Sequence, residues 1–305
     1  MALKDIKGKI ASVKRTRQVT RAMEAVSAVK MRKSQVRALT NRPYAHAALS
    51  ILSRLAPSLE QVAHPLTEKR PERNAALVVI TSDKGLAGVL NSAVLKEAKR
   101  RITDLKVPKD GIHVYAFGRK ACEHFARQGF DVVERRENVS DDVSVSDLAA
   151  LSHAVVGGFM DGTYDRADIV YTSFRSTFEQ EAVSRRVLPL SMGAIGDIVA
   201  GITPEKGVFS DEREAAPPSF YTAEPAPEEV LDTLLPRLVN VVFFHALLES
   251  KASEHSARMI AMKNASDKSE ELTRSLTRTF NKVRQAMITR EVSEIVGGIE
   301  AMATD

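Results

Sequence analysis

A single cysteine, Cys122, among 305 residues excludes an internal disulfide and a thiolate metal cluster, and it suits a reducing compartment. No run approaches about eighteen consecutive apolar residues, so no membrane-spanning helix is expected. The opening MALKDIKGKI lacks the apolar core of a secretory signal, so export is not expected either. Aromatic residues form 5% of the chain and none falls within residues 1–43, which removes the stacking platforms of single-strand nucleic-acid binders. The histidines, at positions 46, 64, 113, 124, 153, 245 and 255, are not paired at metal-ligand spacing, and no nucleophile elbow is present. An enzyme with its own active site is disfavoured, and no cofactor is expected.

Glycine and proline are absent from Lys9 to Arg42 and again from Arg237 to Val296. Both gaps predict long helices, the second running for roughly 90 Å at about 1.5 Å per residue. In the first, Leu3, Ile6, Ile10 and Val13 form an apolar stripe. A second set, Val19, Ala22, Val26, Val29 and Val36, is shifted by one residue, which predicts a rotation of the stripe across Lys14–Gln18. In the second helix, Leu231, Leu234, Leu238, Val241, His245, Leu248, Ala252, His255, Met259 and Met262 alternate steps of three and four. That is the heptad seam of a coiled coil, with His245 and His255 read as packed seam residues. The seam is expected to fade from Lys263 to Ser275 and to resume at Ile288, Val292, Ile295, Ile299 and Met302, with Gly297-Gly298 loosening or capping the last turn.

Charge is unevenly placed. The net charge is +5, yet residues 1–42 carry twelve Lys and Arg against only Asp5 and Glu24. Such a cationic helix calls for an acidic partner: nucleic acid, anionic lipid or an acidic protein surface. An organelle transit peptide has the same bias but is shorter and is cleaved.

Between the helices, Ala75–Ile80, Ile112–Phe117, Asp131–Val133 and Ala167–Thr172 read as strands, and Asn91–Leu105, Arg119–Gln128 and Val145–Met160 as helices. The alternation predicts a Rossmann-like α/β domain. The first strand leads into TSDKGLAGVLN (81–91), a glycine-bearing turn before a helix, which is the setting of a phosphate loop. Its residues do not fit one: Lys84 precedes both glycines, and Gly85 and Gly88 have the wrong spacing for a dinucleotide fingerprint. Both glycines are therefore expected to serve the turn, with Asp83 capping it. The divisions expected are a helix over 1–58, an α/β domain over 74–203, an acidic Pro-rich linker over 204–227 and a helix over 228–305.

Four segments carry a family resemblance: ASVKRTRQVTRAMEAVSAVKMRKSQ (11–35), TSDKGLAGVLN, ASEHSARMIAMKNASDK (252–268) and FNKVRQAMITREVSEIVGG (280–298). In this order they closely resemble the γ subunit of F-type ATP synthases, over essentially the whole chain. The resemblance implies that the two end helices form an antiparallel coiled coil, a non-catalytic central shaft within the hexamer of α and β subunits. The α/β domain would sit at the base, against the ε subunit and the membrane ring of c subunits. It also implies a peripheral place on the cytoplasmic side of a bacterial inner membrane, and no nucleic acid. A basic coiled-coil nucleic-acid-binding protein is the alternative, and a nucleotide-using α/β enzyme with helical arms a further rival.

By resemblance, Met23 lies near acidic β-subunit loops and Arg258 supports the coupling region. Arg284, Gln285, Thr289 and Glu291 resemble the set that contacts the β catch loop. Ile288, Val292 and Ile295 resemble the tip that turns in a hydrophobic sleeve. Ala87 stands where many members have Cys, and with Cys122 alone the dithiol switch of chloroplast members cannot form. The segment 204–227 looks longer than usual for the family.

Overall fold

The computed structural model describes residues 3–59, 64–142, 145–190 and 227–303, with side chains except at 38–59, 145–147, 227–228, 298 and 300–303. In chain order the elements are α1 (Leu3–Leu59), β1 (Ala75–Ile80), α2 (Leu90–Leu105), β2 (Ile112–Phe117), α3 (Arg119–Arg127), β3 (Asp131–Arg136), α4 (Val145–Met160), β4 (Arg166–Phe174), β5 (Gln180–Leu188) and α5 (Pro227–Ala303). They divide into two compact units: Met1–Ser27 with Met259–Asp305, and Ala28–Arg258. The segment 204–226 lies outside the described residues, and Pro227 is the first residue of α5.

The second unit is built on one five-stranded sheet of order β3-β2-β1-β4-β5. β1 is parallel to both β2 and β4, β2 is parallel to β3, and β5 closes the other edge antiparallel to β4. Every residue of β1 is buried, as expected of a central strand covered on both faces. On one face Leu77 and Val79 meet Val94 and Ala98 of α2 and Ala121 and Phe125 of α3. On the other, Val78, Ile80, Ile169 and Tyr171 meet Leu151, Val155 and Phe159 of α4 and Leu235, Val239 and Phe243 of α5. Helices on both faces of a mainly parallel sheet give the Rossmann-like arrangement expected.

Three of the four expected strands and all three helices fall within a residue or two of their places, while β3 extends to Arg136. β5 was not foreseen. Its sequence QEAVSRRVL carries Glu181, Arg185 and Arg186, and most of it is only half-buried, so the edge position weakens the apolar alternation that betrays a strand. Within Glu229–Gly297 a window is apolar enough by composition to cross a membrane, but 61% of it is buried inside the protein. A helix that covers a sheet and has apolar residues all round passes the same test.

The loop after β1 is plugged by its own side chains. Thr81 Oγ1 accepts a bond from the backbone N–H of Ala121 at 2.9 Å, and Asp83 Oδ1 accepts from that of Arg119 at 3.0 Å. Two oxygens thus cap the N-terminus of α3, where an anion would otherwise bind. Asp83 does not cap its own turn. Gly88 has φ +58, but the other left-handed residue in the loop is Leu86 and not Gly85, which has open space around its Cβ position. A glycine that close packing does require is Gly118, at φ +85, where an added Cβ would run into the Thr81 carbonyl oxygen. Gly118→Ala is therefore expected to destabilise the chain by about 3 kcal/mol or more, and Gly85→Ala by less than about 0.5 kcal/mol. Denaturant unfolding of both variants checks the contrast.

Candidate functional site

The first unit is a pair of helices. On α1 a stripe of buried and half-buried positions runs Leu3, Ile6, Ile10, Val13, Arg17, Thr20, Glu24 and Ser27 within this unit and goes on to Met31 and Ser34 in the other, in unbroken steps of three and four. The stripe therefore does not rotate. It keeps its phase and becomes polar, while Val19, Val26, Val29 and Val36 stand 54–71% exposed and Ala22 is exposed with them. The periodicity of valines marked a second apolar face, and the helix packs on the face of small hydroxyl residues instead.

The α5 seam likewise does not fade. It continues as Met262, Ser266, Ser269, Thr273, Leu276, Phe280 and Val283, all buried or half-buried. Small side chains at these positions let two helices approach closely with little apolar area between them. Arg17 donates to Glu270 across the pair at 2.7 Å, with each side chain about one-third exposed. Burial begins at Leu3 on α1 and ends at Val283 on α5, so the two run antiparallel and α5 projects past the start of its partner. Beyond that point Met287, Ile288, Val292, Ile295, Val296 and Ile299 are 45–63% exposed. The helix continues through Gly297 to Ala303, so the glycine pair does not end it.

Of the residues expected to act, Met23 is half-buried beside the seam of α1. Arg284, Gln285, Thr289 and Glu291 are exposed on the projecting end. Helical spacing sets Arg284, Ile288, Glu291 and Ile295 along one stripe, with Gln285, Thr289 and Val292 along the next. Thr289 donates its hydroxyl to the Gln285 carbonyl at 3.0 Å, which leaves the Gln285 side-chain amide available. The tip thus offers charged, amide and apolar groups side by side. Arg258 belongs to the other unit, so the expected set is divided.

In that unit Arg258 is the end of a polar junction. It donates to Glu254 at 2.7 Å and to the Gly85 carbonyl at 3.4 Å, tying α5 to the loop after β1. Its Nη1 lies 3.5 Å from Nδ1 of His255. A guanidinium only donates, so Nδ1 accepts, and Nε2–H of His255 donates to Asp141 Oδ1 at 3.0 Å. Lys30 of α1 donates to Asp141 Oδ2 at 2.7 Å, and Lys251 donates to the Val139 carbonyl at 2.8 Å. Lys251, Glu254, His255 and Arg258 are all buried. The pairing of Glu254 with Arg258 was legible as a four-residue spacing on a helix. Asp141 lies in a loop far away in sequence, and nothing in its local pattern signalled the role.

The family model described as ATP synthase matches residues 2–302. The ATP synthase gamma chain of Heliobacterium modesticaldum is 37% identical over 300 residues, which is 98% of this chain and 99% of that one. The chain belongs to the ATP synthase gamma-chain family. The gamma chain of Roseiflexus sp. is 39% identical over 302 residues, 98% of each chain. Among solved structures, the rotor of the Euglena gracilis mitochondrial ATP synthase matches with a TM-score of 0.62 at 18% identity, over 94% of this chain and 98% of that one. The central stalk and c-ring structure of the Tetrahymena thermophila enzyme matches with a TM-score of 0.57 at 24% identity, over 81% of this chain and 99% of that one. These likenesses show a shared fold, and the family takes the place of the nucleic-acid-binding alternative.

In this gamma-family chain the Asp141 carboxyl is held far below the usual carboxylate range. The bond from His255 is the largest cause; burial opposes it, and the bond from Lys30 and the charge of Lys251 add to it. A depressed native value gives stability that is fully present above the ordinary carboxylate value of about 4 and is lost as pH falls through the native value. Asp141→Asn is expected to flatten the acid limb below about pH 4, and Asp141→Ala to cost about 2 kcal/mol at neutral pH. Denaturant unfolding across pH, with wild type losing no more stability than Asp141→Asn on acidification, would show the assignment to be wrong.

Proposed function

We propose that the chain is the central-stalk rotor of a membrane-associated F-type ATP synthase, coupling ion flow to ATP synthesis by turning as an asymmetric shaft. The observation that carries this reading is the helix pair of a gamma-family chain, closed by a sparing, polar seam and ending in a bare single helix with an apolar tip. A shaft that turns within a sleeve needs such an end, because apolar contact is non-directional and imposes no preferred angle. The shaft does no chemistry. Each of its orientations favours one set of conformations in the surrounding catalytic subunits, so rotation shifts their nucleotide-bound populations.

The partners proposed are the α and β subunits around the helix pair, with the ε subunit and the c ring at the α/β unit, on the cytoplasmic side of a bacterial inner membrane. The exposed valines of α1, with the exposed Arg32 and Lys33 among them, suit a protein surface that is partly apolar and acidic. On the tip, Arg284 supplies a fork for a β-subunit carboxylate, with Gln285, Thr289 and Glu291 beside it. Met23 and Arg258 act as supports of the coupling region.

The test is made on the purified complex, in which the chain must travel with α, β and ε subunits. Arg284→Ala with Gln285→Ala is expected to lower gradient-driven ATP synthesis about tenfold or more, the order set by losing a charge-assisted bond. Unchanged synthesis in the double variant would remove the catch-loop assignment, and absence of the chain from the complex would remove the rotor reading.

A further inference from the structure

A rotor of this kind must pass torque between an α/β body and long helices, and apolar packing alone does this poorly. Non-directional contacts let a helix roll about its own axis at little cost, whereas charge-assisted hydrogen bonds resist displacement in angle as well as in distance. One loop gathers such bonds. Between β3 and α4, the segment Asn138–Asp142 reaches both long helices at once.

To α5 it is held by the Lys251 ammonium on the Val139 carbonyl at 2.8 Å and by His255 on Asp141 at 3.0 Å, with Lys251 also 3.7 Å from Asp141. To α1 it is held by Lys30 on the Asp141 carboxylate at 2.7 Å. Arg37 adds a bond to the Asp141 carbonyl at 3.0 Å and an ion pair with Asp142. Lys30 and Arg37 are seven residues apart, two turns of the same helix face. The loop itself is stiffened from below. Both carboxylate oxygens of Asp83 accept from its backbone, from Asn138 N–H at 2.9 Å and Val139 N–H at 3.1 Å, while the same carboxylate caps α3. The chain of bonds therefore runs from the sheet, through the loop after β1, into Asn138–Asp142 and out to α1 and α5.

We propose that the loop Asn138–Asp142 is the torque joint of this chain, with Asp141 as the positioning residue that binds α1 and α5 to the α/β body together. This rests on the rotor reading and assigns the place within the chain where the load is transferred. Asp141 suits the task because one carboxylate, with four acceptor sites, takes donors from both helices. Removing it takes from Lys30 its carboxylate partner and from Lys251 one of two nearby anions, the other being Glu254 at 3.8 Å.

The assembled, membrane-embedded complex provides the test, through angular fluctuation of a rod fixed to the rotor and through synthesis measured against hydrolysis. With Asp141→Ala the angular spread is expected to widen, and gradient-driven synthesis to fall several-fold more than ATP hydrolysis. The Arg37–Asp142 pair gives an independent arm: Arg37→Glu and Asp142→Arg alone each widen the spread, and the two together narrow it again, short of wild type because a glutamate cannot donate to the Asp141 carbonyl. Wild-type stiffness and synthesis in assembled Asp141→Ala, or no recovery in the charge-swapped double variant, would overturn the joint. If Asp141→Ala does not assemble, the charge-swap series decides by itself. Failure of the rotor reading is distinguishable, since the wild-type chain would then not turn at all.

Discussion

Between Leu238 and Arg258 every position of α5 is buried or half-buried, and a helix with no solvent-facing side must find partners in every direction. The sheet supplies them on one flank and α4 on another. Fully buried side chains such as Leu235, Val239 and Phe243 each contribute roughly 1.5–3 kcal/mol of transfer free energy. Toward Arg258 the apolar residues give way to serines and charges that bond outward. Ser250 accepts from the Thr172 N–H at 3.3 Å and Ser256 donates to the Thr177 carbonyl at 2.6 Å, so the helix is stitched to the end of β4 and the turn beyond it. The polar junction of Lys251, Glu254, His255 and Arg258 depends on α5 holding this course.

The helix-pair unit solves the opposite problem. Its seam uses Thr20, Ser27, Ser266, Ser269 and Thr273 where a stable coiled coil would use Leu and Ile. Such a seam sets a close and defined approach but contributes little transfer free energy. The ion pair of Arg17 with Glu270, partly exposed, is worth about 1 kcal/mol at most. A helix pair of this sort keeps its apolar residues for other surfaces: the valines of α1 and the isoleucines of the α5 tip. That division, packing with polar residues and presenting apolar ones, is what a shaft surrounded by other subunits requires.

Much of the fold was legible in the sequence because its signals are local. β1 and β2 are short apolar runs bounded by turns, and α1 and α5 announce themselves by long stretches without Gly or Pro. What was not legible depended on tertiary choice. The α1 stripe was misplaced because hydrophobicity marked the valines, whereas small size at Thr20, Ser27 and Ser34 decided the contact face. Gly85 was given a backbone task that Leu86 and Gly88 perform. The role of Gly118 depends on a carbonyl of Thr81, far away in sequence. Asp83 and Asp141 were opaque for the same reason, since a carboxylate in a loop shows nothing of its donors until the loop is placed. The seam was expected to resume at Ile288, Val292 and Ile295, yet these residues stand exposed, because the apolar spacing of a helix does not say whether a partner helix reaches that far.

As a rotor, this chain must turn while its neighbours stay fixed. The direct measurement is single-molecule rotation in the complex, with α and β subunits immobilised and a gold rod attached at the α/β unit. On addition of ATP, unidirectional steps of the rod through full turns are expected. A rod that stays at one angle while ATP is hydrolysed at the normal rate would contradict the rotor reading.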